Sequence, residues 1–197
     1  LFFTINSGKS KIPRNLFIYD IANDNLLISD NYGSTLHYGV KLIDMDHDGR
    51  LEISGCMIAP GQIADTLGYN YSDYSAWFMV FNHKLEFVFE PKGFPGLRSF
   101  VNIIPVMIVD SNYYVGYYNH MGPLDNYPKL FIANTKGSIL QEYEFPKSSK
   151  IKRWINIAGI NGDLKISVFD EKGILNIFNK DLKLIDRLDL GYDTKTN

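Results

Sequence analysis

The chain has little of what disulfide frameworks, zinc clusters and membrane anchors require. Cys56 is the only cysteine in its 197 residues, which excludes an internal disulfide framework and any cysteine-based zinc cluster. No apolar run approaches the roughly 18 residues that a membrane-spanning helix needs. With 20 basic and 22 acidic residues the net charge is −2, so the chain has no basic footprint for nucleic acid or an anionic membrane surface. We therefore expect no nucleic-acid partner and no membrane span in this chain.

Familiar catalytic patterns are missing as well. The sequence contains neither the Gly-x-Ser-x-Gly turn that exposes a nucleophilic serine nor the Gly-x-x-x-x-Gly-Lys loop that cradles phosphate. The 4 histidines lack the spacing of zinc ligands. Acidic residues in the predicted strands alternate with apolar ones, as solvent-facing residues do, so none stands out as an acid–base pair. These absences favour a non-catalytic protein over an enzyme.

What the chain does have is short runs of alternating apolar residues. It contains 13 tyrosines and 13 phenylalanines, residue types that favour strands over helices. Glycine, asparagine, aspartate and proline interrupt the runs, and none continues with the spacing of a helix. The sequence therefore predicts an all-β chain that is long enough to enclose one sizeable core.

Four hairpin-like segments resemble one another, and each is followed by a second alternating strand. They are 17–20, 80–87, 131–137 and 177–184. Two further hairpins lie between the later segments. One of them turns at Asn161-Gly162, a dipeptide in which both residues can take the positive φ of a tight turn. This order, an inner hairpin followed by an outer one, predicts a series of four-stranded antiparallel units.

The most informative stretch is an acidic loop with oxygen-bearing side chains at its positions 1, 3, 5 and 9. Gly49 at position 6 permits a sharp reversal, and the Arg50 carbonyl adds a backbone oxygen. A hard cation such as Ca²⁺ takes six to eight oxygen ligands. The spacing therefore predicts a Ca²⁺ site with ligands from Asp44, Asp46, Asp48, Arg50 and Glu52.

The flanks of this loop distinguish it from an EF-hand, which needs helices on both sides and a carboxylate at position 12. Position 12 here is Gly55, and residues 40–43 and 51–54 alternate like strands. The pattern predicts a cation loop at the tip of a β-hairpin. The corresponding hairpins have only short turns, so one metal site is expected. The alternative is a solvated acidic turn, although its three carboxylates repel one another without a counter-ion.

With its flanks, the loop resembles the calcium loop of FG-GAP or VCBS-type repeats, which build integrin α-subunit-like β-propellers. Tyr38-Gly39 resembles the Phe-Gly that precedes the loop in that family, and Ala59-Pro60-Gly61 resembles the Gly-Ala-Pro that follows it. The family usually has aspartate where this chain has Glu52. The resemblance covers about one blade and implies a propeller with Ca²⁺ as cofactor. Weak loops of this class fill only at extracellular Ca²⁺ concentrations, so a periplasmic, secreted or cell-surface location is expected.

The hairpins and this resemblance together predict one β-propeller domain over residues 1–197, with three full blades and part of a fourth. The blades are expected at roughly 1–30, 38–90, 101–145 and 152–190. Propellers normally have four to eight blades. The repeat begins mid-blade and Leu1 is not a methionine, so we expect a piece of a larger propeller, completed by further blades of the same protein. A small, irregular four-bladed ring is the alternative, and a β-sandwich is the fallback fold.

Two long connections, 57–76 and 118–128, carry the candidate binding residues. In a four-stranded blade they leave the sheet at the end opposite the cation loop, so ion and ligand are expected on different faces. Tyrosine is enriched at interfaces because it offers a broad apolar ring and one hydroxyl. The alternative is that these rings pack over the blade edges. We predict contacts with a protein partner or a glycan from Tyr69, Tyr71, Tyr74, Tyr118, His120 and Tyr127.

Three functional classes remain open. The first is a non-catalytic binding propeller, part of a receptor or sensor ectodomain or an adhesion module, with one structural Ca²⁺ loop. The second is part of a calcium-dependent polysaccharide lyase whose chemistry is completed by other blades. The third is a structural spacer. The missing catalytic groups favour the first class, although a fold by itself does not decide function.

Overall fold

The computed structural model describes residues 2–4, 14–61, 70–108, 111–120, 127–146, 151–160, 163–170 and 173–191. Every regular element in these residues is a β-strand, which confirms the predicted all-β class. No described residue belongs to a helix that is long and apolar enough to cross a membrane. The strands are β1 (Phe2–Thr4), β2 (Leu16–Asp20), β3 (Asn25–Ile28), β4 (Thr35–Ile43), β5 (Glu52–Ile58), β6 (Ser75–Phe78), β7 (Lys92–Pro95), β8 (Ser99–Ile108), β9 (Ser111–His120), β10 (Lys129–Asn134), β11 (Ile139–Glu144), β12 (Ile151–Ile160), β13 (Asp163–Asp170), β14 (Ile174–Phe178) and β15 (Leu184–Asp189).

These strands form antiparallel sheets, and none of the sheets in the described residues closes on itself. Their strand orders are β1-β2-β3, β11-β10-β9-β8-β5-β4, β12-β13-β14-β15 and β6-β7. Consecutive strands pair as four-stranded meanders in β8–β11 and in β12–β15. The two meanders coincide with the predicted units 101–145 and 152–190, and the three-stranded sheet coincides with the incomplete unit at 1–30.

The predicted unit at 38–90 does not form a sheet of its own. Strands β4 and β5 extend the β8–β11 sheet, because residues 56–58 of β5 pair with residues 100–102 of β8. The expected outer strands are reduced to isolated bridges at Phe81. Met79, Val80 and Phe81 are all buried in succession, so side-chain packing on both faces holds this segment in place of a strand ladder. The sequence pattern that predicted an outer hairpin here did not distinguish a hydrogen-bonded hairpin from a segment that is held by side-chain packing.

Three hairpin turns use asparagine in the same way. In each, the side-chain oxygen accepts the N–H groups two and four residues later, and the carbonyl accepts the N–H three residues later. The asparagines are Asn82, Asn134 and Asn179. The third residue after each has φ of 64°, 75° and 52° and is Leu85, Gly137 and Leu182. Gly137 suits its turn because a Cβ there would lie 2.3 Å from the Phe89 ring.

Buried side chains cover both faces of the six-stranded sheet. Ile132 of β10 packs in a cluster with Leu164 of β13, which joins this sheet to the β12–β15 sheet. Phe131, the preceding residue, packs on the opposite face with Phe78 of β6. A third cluster joins β2 to β5. The central strands are therefore enclosed, and the exposed sites of the molecule lie at the strand ends and on the outer strands.

Candidate functional site

The acidic loop lies where the sequence predicts it, at the tip of a β-hairpin. Ile43 and Glu52 form the last pair between β4 and β5, and residues 44–51 connect them. His47 and Gly49 reverse the chain with φ of 63° and 83°. Left-handed backbone conformations are unfavourable for most residues but not for glycine. Gly49 therefore lets the loop reverse direction without backbone strain at that position.

Three aspartates converge inside the loop. Asp44, Asp46 and Asp48 each offer a carboxylate oxygen, and these oxygens all lie within 4.8 Å of one another. Loop amides hold them in place: Gly49 N–H donates to Asp44 Oδ2 at 2.9 Å, and Arg50 N–H donates to Asp48 Oδ1 at 2.8 Å. Negative charges this close repel one another unless a cation neutralises them. Elsewhere in the described part of the chain, no other group of three or more potential metal-ligating side chains comes together in this way.

Glu52, the fifth predicted ligand, lies apart from these three carboxylates. It is 7% exposed, and its Oε2 accepts a hydrogen bond from the Met45 N–H at 2.6 Å. Burial raises the pKa of Glu52, the Met45 hydrogen bond opposes that rise, and the charges of Asp46, Asp44 and Asp48 add to it. In this arrangement Glu52 holds the Met45 amide within the loop. A nearby cation would favour the ionised form of Glu52.

The loop is also fixed to the neighbouring hairpin. The Met45 side chain is buried, and the backbone carbonyl of Met45 accepts a hydrogen bond from Asn112 Nδ2 at 2.7 Å. Asn112 Nδ2 also approaches His47 Nε2 at 3.1 Å. Asn112 belongs to β9, near the short connection from β8. No sequence signal marked it, because this contact joins residues that are 67 positions apart.

The donor set fits a hard cation. All groups that converge in the loop offer oxygen, which is the ligand type of Ca²⁺. Tyr114 adds an independent observation: it is 1% exposed, and its hydroxyl has no hydrogen-bond partner among the described residues. Burial raises its pKa, and the charges of Glu52 and Asp46 raise it further. A buried polar group without a partner is costly.

Described residues from both long connections lie at the other end of β9. Asn112, which contacts the loop, is the second residue of β9, and His120 is the last. The eight steps from Asn112 to His120, at roughly 3.3 Å each, separate these residues by about 26 Å. Ser99 pairs with His120, and the Ser99 hydroxyl donates to the Gly96 carbonyl. The Gly96 N–H in turn donates to the Tyr74 carbonyl at 3.1 Å. Tyr74 and His120 therefore share the end opposite the acidic loop.

The predicted contact residues differ in exposure. Tyr74 and Tyr127 are 45% and 39% exposed, whereas His120 is partly buried. Tyr118 is a core residue, contrary to the prediction: it is 3% exposed, its hydroxyl donates to the Pro95 carbonyl at 2.7 Å, and its ring stacks on Phe94. Its burial follows from the covering of both faces of β9. Tyr69 lies outside the described residues.

Tyr71 belongs to a partly exposed aromatic patch, defined as Tyr71, Trp77 and Phe87. Its ring centroid lies 5.1 Å from that of Trp77 and 5.0 Å from that of Phe87, both edge to face. Its φ is 58°, a strained value for a tyrosine. Trp77 Nε1 donates to the Ser72 carbonyl at 2.9 Å. The sequence prediction missed Trp77, which lies in β6 outside the predicted contact set.

A buried ion pair fixes the chain around this patch. Arg14 Nη1 lies 3.0 Å from Asp73 Oδ2, and the side chains are 3% and 0% exposed. The same nitrogen donates to the Gly33 carbonyl, while the Asp73 carbonyl accepts the Gly61 N–H at 2.9 Å. Four distant segments thus meet at one charge pair. No sequence pattern indicated it, because partners 59 positions apart share no local signal.

Comparison with protein-family models, with curated proteins and with solved structures finds no match for this chain. Function is therefore inferred from the arrangement of its own residues.

Proposed function

We propose that this chain is a non-catalytic binding module of an extracytoplasmic protein, with one structural Ca²⁺ loop. The observation that carries the proposal is the separation of two unlike ends. One end holds three convergent carboxylates. The other holds exposed Tyr74 and Tyr127. Large exposed aromatic residues typically mark places where a protein or a sugar binds.

The arrangement proposed for the strands is an arc of a β-propeller. Two consecutive four-stranded meanders support it, as do the three asparagine turns, two of which connect paired outer strands. The acidic loop supports it through its resemblance to FG-GAP or VCBS-type repeats. In this arrangement further blades of the same protein would cover the two blade faces that are exposed at the ends of the arc.

The proposed Ca²⁺ has a structural role. Asp44, Asp46 and Asp48 would supply side-chain oxygens and Arg50 its carbonyl, with Glu52 completing the set or holding the Met45 amide. The ion would neutralise the acidic loop and stiffen the β4–β5 hairpin. Because the exposed tyrosines lie near the end of β9 that is opposite the loop, the ion does not touch what they bind.

The proposed ligand at the other end is a protein partner or a glycan of the cell exterior. Tyrosine can stack on a sugar ring or become buried against a protein, and either mode loses little side-chain entropy. Strain is often stored at functional sites, and the positive φ of Tyr71 supports a functional role for the neighbouring patch. No observation in the described residues favours the polysaccharide lyase.

The function is tested with Ca²⁺-loaded protein on arrays of purified extracellular glycans and of purified cell-surface proteins. We expect at least one immobilised ligand to bind. Replacing Tyr74 and Tyr127 together by alanine should weaken that binding by about 2 kcal/mol, or roughly 30-fold. Their exposure predicts an unchanged melting temperature.

Tyr38→Ala is the matched control, because Tyr38 is also 39% exposed but lies on β4, where it pairs with Cys56 of β5 and belongs to neither long connection. Its affinity should equal that of the unmodified protein. Binding that is equally strong in the double variant would contradict the assigned surface. Absence of binding to every arrayed ligand would contradict the binding function itself.

A further inference from the structure

A groove lies between the two large sheets, at the end that carries the acidic loop. Its cavity volume is about 170 Å³. Tyr113, the neighbour of Asn112 in β9, and Gln141 of β11 line one side. Lys180 and Asp181, in the turn between β14 and β15, line the other. Ile132 and Leu164 belong to one buried cluster that joins the two sheets, so the walls of the groove have a defined spacing.

The polar side chains of the groove are available to a ligand. Those of Gln141, Lys180 and Asp181 form no hydrogen bond or ion pair with any other described residue. Lys180 and Asp181 are adjacent and oppositely charged, yet they do not pair with each other. Side chains that form no hydrogen bonds within the protein can donate and accept hydrogen bonds with a bound molecule.

The turn that presents the two charged residues is held in one conformation. Asn179 Oδ1 accepts the Asp181 N–H at 3.0 Å and the Lys183 N–H at 2.9 Å. Leu182, at φ of 52°, is 4% exposed and belongs to the core. Such a turn positions its side chains before a ligand arrives, which reduces the entropy cost of binding.

The chemistry of the lining selects among ligand classes. Ile132 and Leu164, each 2% exposed, form an apolar floor, while the walls combine an ammonium donor, a carboxylate acceptor, an amide and a phenol. An anion would meet Asp181 and a cation would meet Lys180. A wholly apolar ligand would desolvate both charges without replacing their hydrogen bonds with water. An uncharged polyhydroxyl ring satisfies all of these groups, because each hydroxyl both donates and accepts.

The size of the groove fits a single ring. Sites for drug-sized molecules measure roughly 300–1,000 Å³, well above the 170 Å³ found here. We propose that this groove binds a single uncharged pyranose unit of a glycan, with Asp181 accepting from a sugar hydroxyl and Lys180 and Gln141 donating to others. This site is separate from the tyrosine surface of the proposed function and does not depend on it.

The test is an NMR titration of the ¹⁵N-labelled chain with four probes: methyl glucoside, methyl galactoside, methyl mannoside and N-acetylglucosamine. At least one should produce saturable shifts at the amides of Tyr113, Gln141 and Asp181. A small ligand with few contacts should have a Kd of about 1 mM. Asp181→Ala should weaken the binding about tenfold, because it removes a hydrogen bond to a charged group.

Lys183→Ala is the control, since Lys183 shares the turn but does not line the groove. It should bind like the unmodified chain, and so should the Tyr74→Ala/Tyr127→Ala variant, which separates this site from the surface at the other end. The assignment is overturned if no probe shifts these amides, if the shifts lie elsewhere, or if Asp181→Ala binds as tightly as before. Binding of glycine, a zwitterion, in preference to all four sugars would overturn the ligand class.

Discussion

Replacing Arg14 by alanine should lower the free energy of unfolding by about 3–5 kcal/mol, the cost of removing one member of a buried ion pair. Asp73 is fully buried, so its carboxylate would lose the Arg14 guanidinium in a place that water does not reach. The Gly33 carbonyl would lose a donor as well. Urea denaturation of both proteins, analysed by linear extrapolation, measures this difference.

A matched control and a double variant make this prediction specific. Arg187→Ala removes an exposed arginine from β15 and should change stability by no more than about 0.5 kcal/mol. Arg14→Met combined with Asp73→Leu replaces both charges by apolar groups and should recover most of the loss. A cost below about 1 kcal/mol for Arg14→Ala would mean that the pair does not hold the four segments together.

Saturating Ca²⁺ should raise the melting temperature of the chain, and Asp46→Ala should abolish that rise. At a concentration of 100 times Kd, an ion that binds only the folded state adds about 2.7 kcal/mol. For a chain of this size that corresponds to roughly 5–10 °C. Asp46 lies among the three convergent carboxylates, and its loss removes a ligand while leaving the β4–β5 pairing intact. Thermal unfolding followed by circular dichroism, with Ca²⁺ and with chelator, measures both effects.

Asp186→Ala serves as the control, because Asp186 is an exposed acidic residue in β15 far along the chain from the loop. Its Ca²⁺-dependent rise should match that of the unmodified protein. An equal rise in Asp46→Ala would assign the stabilisation to another site, and no rise in the unmodified chain would favour the solvated acidic turn.

Local patterns in the sequence were sufficient for the class of fold and for the hairpins. Alternating apolar residues predicted strands because side chains in a strand alternate between faces. The loop from Asp44 to Glu52 was placed at a hairpin tip from its flanks alone. The recurring Asn82, Asn134 and Asn179 mark turns in which a side-chain oxygen replaces backbone hydrogen bonds, which is again a local property.

Contacts between distant residues decided the features that the sequence did not reveal. The pairing of β5 with β8 merged the predicted unit at 38–90 with the next sheet. Because β5 is buried on both faces, its sequence pattern does not reveal whether it pairs with its own unit's outer strand or with a strand of the next unit. Tyr118 looked like a loop residue, but cover on the second face of β9 placed it in the core. The Arg14–Asp73 pair and the Asn112 contact depend on the same long-range packing.

The candidate site was predictable in its ligand types and less so in its geometry. Spacing placed Asp44, Asp46 and Asp48 together, because alternate residues of a short loop can converge on one point. It did not reveal that Glu52 is buried and hydrogen-bonded to the Met45 amide. Nor did it reveal the groove beside Lys180 and Asp181, since its two sides come from different sheets.

Calorimetric titration of Ca²⁺ into chelator-treated protein tests the central claim most directly. That claim is one structural ion in the loop formed by Asp44, Asp46 and Asp48. We predict binding of one ion per chain with a Kd between about 10⁻⁴ and 10⁻³ M, the range of extracellular Ca²⁺ modules, and no binding to Asp46→Ala. No heat of binding at millimolar Ca²⁺, or identical binding to the variant, would contradict the claim.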